Sequence, residues 1–270
     1  MKPAPMQDFT AISRLRIIAV PRLVAAGRWR TEAMRSLSEP CLLWFTKGQG
    51  RITLQGSTRG YTAHNAVFIP PGVMHGFDAG PAVFGIAVFF GRNCDVTLPK
   101  EPQHLRIREV HAQQEINLLL DAIQREQASD IAARERATQH YLGLLSVWLE
   151  RQVLRAEPEA SRPDATRRLV ARYAALLEKE FRSGLGIADF AARLEVTPTH
   201  LTRCCKSACG RPASALLQDR RIFEAQRLLS ETRIPVGHIA ASLGFASPAY
   251  FTRAFHHLTG KSPTAFRRSA

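Results

Sequence analysis

The sequence predicts an α+β multidomain chain: a strand-rich N-terminal barrel or sandwich, a helical segment, and an all-α domain containing two helix-turn-helix units. Three observations predict it. Short apolar or alternating runs separated by turn residues fill the first hundred residues. Apolar spacing then changes to the helical period. Finally, the last hundred residues say nearly the same thing twice: Ile187, Phe190, Ala191 and Leu194 return 49 positions later as Val236, Ile239, Ala240 and Leu243. The segment 197–203, Thr-Pro-Thr-His-Leu-Thr-Arg, returns 50 positions later as Ser-Pro-Ala-Tyr-Phe-Thr-Arg, the extra residue being Ala246.

Strands are expected at 17–19, 42–46, 51–54, 66–69 and 85–90. The Lys47-Gly48-Gln49-Gly50 run reads as a hairpin turn, and Pro70-Pro71-Gly72 ends a strand abruptly. The organisation follows as a strand-rich domain over 1–106, a helical segment over 107–155, a linker over 156–165 and a helical domain over 166–270. In the second of these, Ile116, Leu119, Leu120 and Ile123 fall at helical spacing, as do Tyr141, Leu144, Leu145, Trp148, Leu149 and Val153. Such stripes must be covered, either by the strand-rich domain or by a second subunit in a homodimer. The linker is Pro-rich, charged and non-periodic.

Charge is unevenly placed. The formal net charge is +14, and from Ser161 onward 18 Lys+Arg stand against 8 Asp+Glu, so +10 of it lies in the repeated half. A basic domain points to a polyanion, because phosphates neutralised by Lys and Arg release condensed counterions. No uncharged apolar run approaches the ~18 residues that span a bilayer, and the apolar start is interrupted by Arg14, Arg16, Pro21 and Arg22 without a cleavage pattern. The expectation is a cytoplasmic protein without membrane association. The five cysteines, Cys41, Cys94, Cys204, Cys205 and Cys209, form no Cys-x-x-Cys pair. They read as small apolar filling, with a redox role as the alternative.

Each repeat, at about 187–209 and 236–258, reads as helix, tight turn, helix. Thr197 and Ser247 are N-caps, each followed by a proline at the first helical position, where its missing N–H is harmless. Leu201 anchors one second helix; Phe251 and Phe255 anchor the other. Thr199, Thr202, Arg203 and Lys206 share the opposite face, matched by Ala249, Thr252, Arg253 and His256. That row suits a major groove, where Arg can grip a guanine and Thr a base edge or thymine methyl. A helix over 212–230 would hold the two units apart; at a separation near one DNA turn (~34 Å) both could enter successive grooves of one double-stranded site.

The segment 167–268 resembles the DNA-binding domain of the AraC/XylS family of bacterial transcriptional regulators. The resemblance is carried by Ile239-Ala240, Gly244-Phe245, Phe251-Thr252-Arg253-Ala254-Phe255, Gly260-Lys261-Ser262-Pro263 and Phe266-Arg267. It implies seven helices, promoter binding that usually activates transcription, contact with RNA polymerase, and base-facing positions at Thr199, Thr202, Arg203, Pro248, Ala249, Thr252 and Arg253. Two residues depart from the family pattern: Glu195 stands where a turn glycine is usual, and Cys205 where an aromatic is usual. A non-glycine residue in that turn must adopt a left-handed conformation or shift the turn.

The strand-rich half is similar to the cupin-like β-barrel sensor domain that often precedes this DNA-binding domain, on the runs 47–50 and 66–72 and on His75. Metal-binding cupins pair that histidine with an earlier His-x-His, whose positions here fall near Ser36 and Ser38, so neither a metal nor a cofactor is expected. No nucleophile elbow, phosphate loop or His-Glu-x-x-His motif is present, and no catalytic residue is assigned. A small-molecule effector in the barrel is the expectation, with Arg30, Trp44 and His75 as candidate lining residues. The alternatives are a ligand-independent regulator and a metal-dependent cupin enzyme fused to a DNA-binding domain.

Overall fold

A computed structural model of the chain describes residues 15–25, 29–92, 94–156 and 164–269. The strand-rich domain opens with β1 (Arg16–Ala19), α1 (Val20–Ala25) and α2 (Trp29–Glu32). Strands β2 (Cys41–Lys47), β3 (Gln49–Leu54), β4 (Ser57–Thr62) and β5 (Asn65–Ile69) follow. Then come β6 (His75–Asp78), β7 (Phe84–Phe89) and β8 (Gln103–Arg106). All five expected strands form. The expected closed barrel does not: the strands make a five-stranded antiparallel sheet, β1-β7-β2-β5-β8, and a separate three-stranded sheet, β4-β3-β6.

The two sheets close on a core of their own. Leu43, Phe45, Val67 and Ala87 of the larger sheet meet Ile52, Tyr61 and Phe77 of the smaller one. Phe45 stacks on Tyr61 with centroids 3.8 Å apart, and Phe77 meets Phe45 edge-on at 5.9 Å. Strand β2 is buried on both faces, which is why it reads as a continuous apolar run rather than an alternating one. Its other face is covered by α3 (Val110–Ala128) and α4 (Arg134–Arg155), which turn Ile116, Leu120, Ile123, Leu145 and Leu149 onto Leu42, Trp44 and Val88. Apart from Leu144, which stays exposed, the amphipathic stripes of the helical segment are therefore covered within the chain. Trp148 locks the arrangement by donating its indole N–H to the Ala112 carbonyl at 3.0 Å.

Strands β4, β6 and β8 have no strong apolar alternation, and only pairing with β3 and β5 makes them strands. Most of the expected linker lies outside the described residues. Beyond it the helical domain consists of α5 (Ala165–Glu180), α6 (Ile187–Arg193), α7 (Pro198–Cys209) and α8 (Ala213–Glu231), followed by α9 (Val236–Ser242), α10 (Pro248–Thr259) and α11 (Pro263–Ser269).

The linker does not leave the domains apart. Met34 and Met74 join the core of the helical domain, and the β3–β4 turn approaches α5 so closely that a Cβ on Gly56 would lie 2.5 Å from Val170 Cγ1. Trp29 lies beside Phe223 of α8 and Phe266 of α11, with centroids 5.6 and 5.9 Å away. Ser36 donates a hydrogen bond to Glu178 of α5. Among the described residues no helix is long and apolar enough to cross a membrane.

Candidate nucleic-acid interface

The two repeats fold as the same object. Thr197 Oγ1 accepts from the His200 amide at 3.2 Å, and Ser247 Oγ accepts from the Tyr250 amide at 3.2 Å, so each second helix starts on a matched cap. Pro198 and Pro248 occupy the first turns. Leu201, Phe251 and Phe255 are fully buried. The connecting turns also match. Glu195 and Val196 donate to the carbonyls of Ala192 and Ala191, and Gly244 and Phe245 donate to those of Ala241 and Ala240, the paired bonds that end a helix on a left-handed residue. That residue is Gly244 at φ +70° in one unit and Glu195 at φ +60° in the other. Glu195 keeps the turn by adopting the left-handed conformation rather than by shifting it.

Helix α8 joins the units, packing against both α7 and α10. Its buried face carries an ion-pair network: Arg220 is held by Glu178 at 2.7 Å and by Glu224 at 3.3 Å, with its guanidinium 3.9 Å from the Phe181 ring centroid. Burial would raise the Glu224 carboxyl, but the Arg227 hydrogen bond and the charges of Arg220, Arg227 and Arg182 outweigh it and hold the group at about 2. The network ties α8, the helix between the two units, to Glu178 of α5 and to Arg182 just beyond it.

The row opposite the buried anchors is exposed. Thr199, Arg203 and Lys206 on α7, and Pro248, Ala249, Thr252 and Arg253 on α10, face solvent, and Thr202 is half-buried. The structure thus brings the DNA-contact candidates of each unit onto one surface. Arg203 is not entirely loose: its Nη2 donates to His200 Nδ1 at 3.2 Å. His200 was not among the candidates, although its position three residues before Arg203 on a helix was the available signal. The Arg253 side chain holds no hydrogen bond or ion pair among the described residues.

The N-terminal candidates do not gather in one pocket. Trp44 is fully buried on the helix-facing side of β2, donating to Asn117 Oδ1 at 2.8 Å. His75 lies on the other sheet, buried, with Nδ1 2.9 Å from the Val73 carbonyl; burial first, then the Arg35 charge, push it down to about 3, so it is neutral. The Arg30 side chain lies outside the described residues. Ser36 and Ser38 engage Glu178 and Arg92. In the helical domain Cys204 and Cys205 are buried, and burial pushes the Cys205 thiol up to about 12, which suits filling rather than redox chemistry.

Two helix-turn-helix units on one connecting helix, behind a two-sheet domain, define a DNA-binding class of protein. Residues 190–269 match the family described as Helix-turn-helix domain. The arabinose operon regulatory protein of Escherichia coli is 34% identical over 85 residues, covering 32% of this chain and 29% of that protein. The uncharacterized HTH-type transcriptional regulator YisR of Bacillus subtilis is 28% identical over 123 residues, covering 45% and 43%. The chain therefore spans less than half the length of these curated relatives. The HTH-type transcriptional regulator CdhR of Pseudomonas aeruginosa aligns more broadly, 23% identical over 240 residues, 87% of this chain and 69% of that protein. Among solved structures, ToxT from Vibrio cholerae O395 is 10% identical, covering 94% of this chain and 96% of that one at a TM-score of 0.44. The last third of the chain thus shares its helix-turn-helix domain with transcriptional regulators, the arabinose operon regulatory protein among them.

Proposed function

We propose that this chain is a sequence-specific DNA-binding transcriptional regulator that reads one promoter site with α7 and α10. The observation that supports it is the paired construction of those helices: equal caps, buried anchors, and a Thr-Arg pair at the same helical position in each, its arginine exposed. A solvated helical hairpin needs no such duplication. Arg203 and Arg253 are the base readers in this proposal, with Thr199, Thr202, Lys206, Pro248, Ala249 and Thr252 completing the contact faces. The regulator acts in the cytoplasm at the nucleoid, activates through RNA polymerase, and answers to a small effector met by its N-terminal domain. A homodimer forms through the outer sides of α3 and α4, where Leu118, Leu144 and Leu154 are 69%, 54% and 79% exposed although the inner sides are covered.

Genome-wide mapping of bound promoters followed by gel-shift titration tests the proposal. The expected result is a shared asymmetric site bound with steep salt dependence. Binding indifferent to sequence would overturn it. The packed inter-sheet core of Phe45, Tyr61 and Phe77 favours a second reading, a regulator whose N-terminal domain is structural only. That reading stands if no small molecule shifts promoter affinity.

A further inference from the structure

The two arginines at matching places in the repeats are not held alike. Arg203 lies three residues beyond His200 on α7, and its Nη2 is 3.2 Å from His200 Nδ1. A guanidinium has donors only, so Nδ1 accepts, and a neutral imidazole that accepts there carries its proton on Nε2. Nε2 in turn lies 3.6 Å from the Sγ of Cys204, which is 4% exposed on the buried side of the helix. The ring is thus engaged at both nitrogens. Its backbone is fixed as well, because the His200 amide donates to Thr197 Oγ1, the cap of α7. A chain of contacts runs from a buried sulfur through a half-buried ring to an exposed guanidinium.

The second unit lacks both members of that chain. Tyr250 stands at the place of His200, and Ala254 at the place of Cys204. The Tyr250 amide meets its cap just as His200 does, but its ring turns to Phe245, with centroids 6.1 Å apart. Arg253 is left with no hydrogen bond or ion pair among the described residues. The difference bears on how a base is read. A bidentate contact with guanine needs the planar fork in one orientation, and an arginine oriented beforehand has less rotamer freedom to lose on binding. One donor spent on His200 leaves the other guanidinium N–H groups for the base.

We propose that His200 is a positioning residue for Arg203: it pre-sets the guanidinium for one base of the site, and Cys204 in turn sets the imidazole. The inference rests on the reading of α7 as a recognition helix. It makes the two units unequal readers. Arg203 meets the groove already oriented, whereas Arg253 finds its orientation only on the DNA.

The test is gel-shift titration of the full chain on a mapped promoter site and its single-base variants, with His200→Ala, His200→Asn and His200→Tyr. Discrimination at the base that Arg203→Ala relaxes is expected to fall about 3- to 10-fold in His200→Ala, the net worth of one hydrogen bond. At the base that Arg253→Ala relaxes it should not change. In the Arg203→Ala background, His200→Ala should cost no further discrimination. Asparagine offers an acceptor oxygen near the place of Nδ1, so His200→Asn should recover most of the loss, which a ring kept only for packing would not allow. His200→Tyr installs the residue that the second unit carries on an equivalent helix, so it serves if alanine fails to fold, and it should lose discrimination as alanine does. Full discrimination in His200→Ala or His200→Tyr, an equal loss at both bases, an additive loss in the double variant, or no recovery by asparagine would each overturn the proposal. The two readings fail separately. Binding without sequence preference refutes the regulator reading and the proposal with it; a specific chain in which Arg203→Ala relaxes a base and His200→Ala does not refutes the positioning role alone.

Discussion

The first and second helix-turn-helix units share a plan but not a way of being held. In the second, the aromatic residues are local: Phe245, Phe251, Phe255 and Phe266 form a chain with successive centroid distances of 5.0, 5.7 and 5.5 Å. In the first, the position matching Phe255 is Cys205, and an aromatic comes from elsewhere, with Tyr173 of α5 set edge-on to Phe190 at 5.6 Å. The turns differ too. Gly244 is wedged against the backbone of Gly184, whereas Glu195, in almost the same left-handed conformation, is exposed. The second unit leans on Phe266 of α11 and on the backbone at Gly184, whereas the first takes its aromatic support from α5 and tolerates strain where there is room for it.

The largest test of that contrast is Gly244→Ala. A Cβ there would lie 2.4 Å from the Gly184 nitrogen and 2.6 Å from its Cα, with no flexible side chain to yield. Added to the left-handed penalty, this should destabilise the helical domain by about 2–4 kcal/mol in urea unfolding. Unchanged stability would mean that the tight approach of the two backbones is not a real constraint on the second unit.

Recognition gives the next effect. Arg253→Ala and Arg203→Ala should each weaken specific promoter binding by roughly 1–3 kcal/mol and relax sequence preference at different positions of the site. Gel shifts on single-base variants of the site separate them. If both substitutions relaxed the same base, the two units would not be reading successive grooves. The caps supply a symmetrical control: Thr197→Ala and Ser247→Ala should each lower stability by about 1 kcal/mol, because each removes one equivalent hydrogen bond. A large inequality in thermal melts would show that the units differ even where their geometry agrees.

What was legible in the sequence follows the same division. The caps, the anchors, the exposed row and the helix between the units are local features with a period, and residues 187 to 260 declare them twice. The left-handed turn at Glu195 was one of two options, and only the structure separates them. The strand-rich domain was legible where strands are apolar, as in β2 and β5, and hidden in β4, β6 and β8, whose strand character comes from partners distant in sequence. Closure into a barrel depends on edge pairing, which residue patterns do not specify, and two sheets formed instead. Trp44 and His75 carry the chemistry that marks a pocket but lie on different sheets.

The smallest expected effect bears most directly on why the units differ. The Glu195 side chain is exposed and makes no hydrogen bond or ion pair among the described residues, and its backbone sits at φ +60°. Glu195→Gly therefore loses no side-chain contact and relieves a left-handed penalty of roughly 1–2 kcal/mol, offset by the greater freedom of glycine in the unfolded chain, so a net stabilisation of about 0.5–1 kcal/mol is expected. The surroundings make the exchange unequal: a side chain at 195 projects into solvent, and one at 244 meets a backbone. If Glu195→Gly left the urea midpoint unchanged while promoter affinity fell, the glutamate would be serving the DNA interface rather than merely being tolerated in the turn. If stability rose and affinity held, the first unit's departure from its twin would be strain without consequence for recognition.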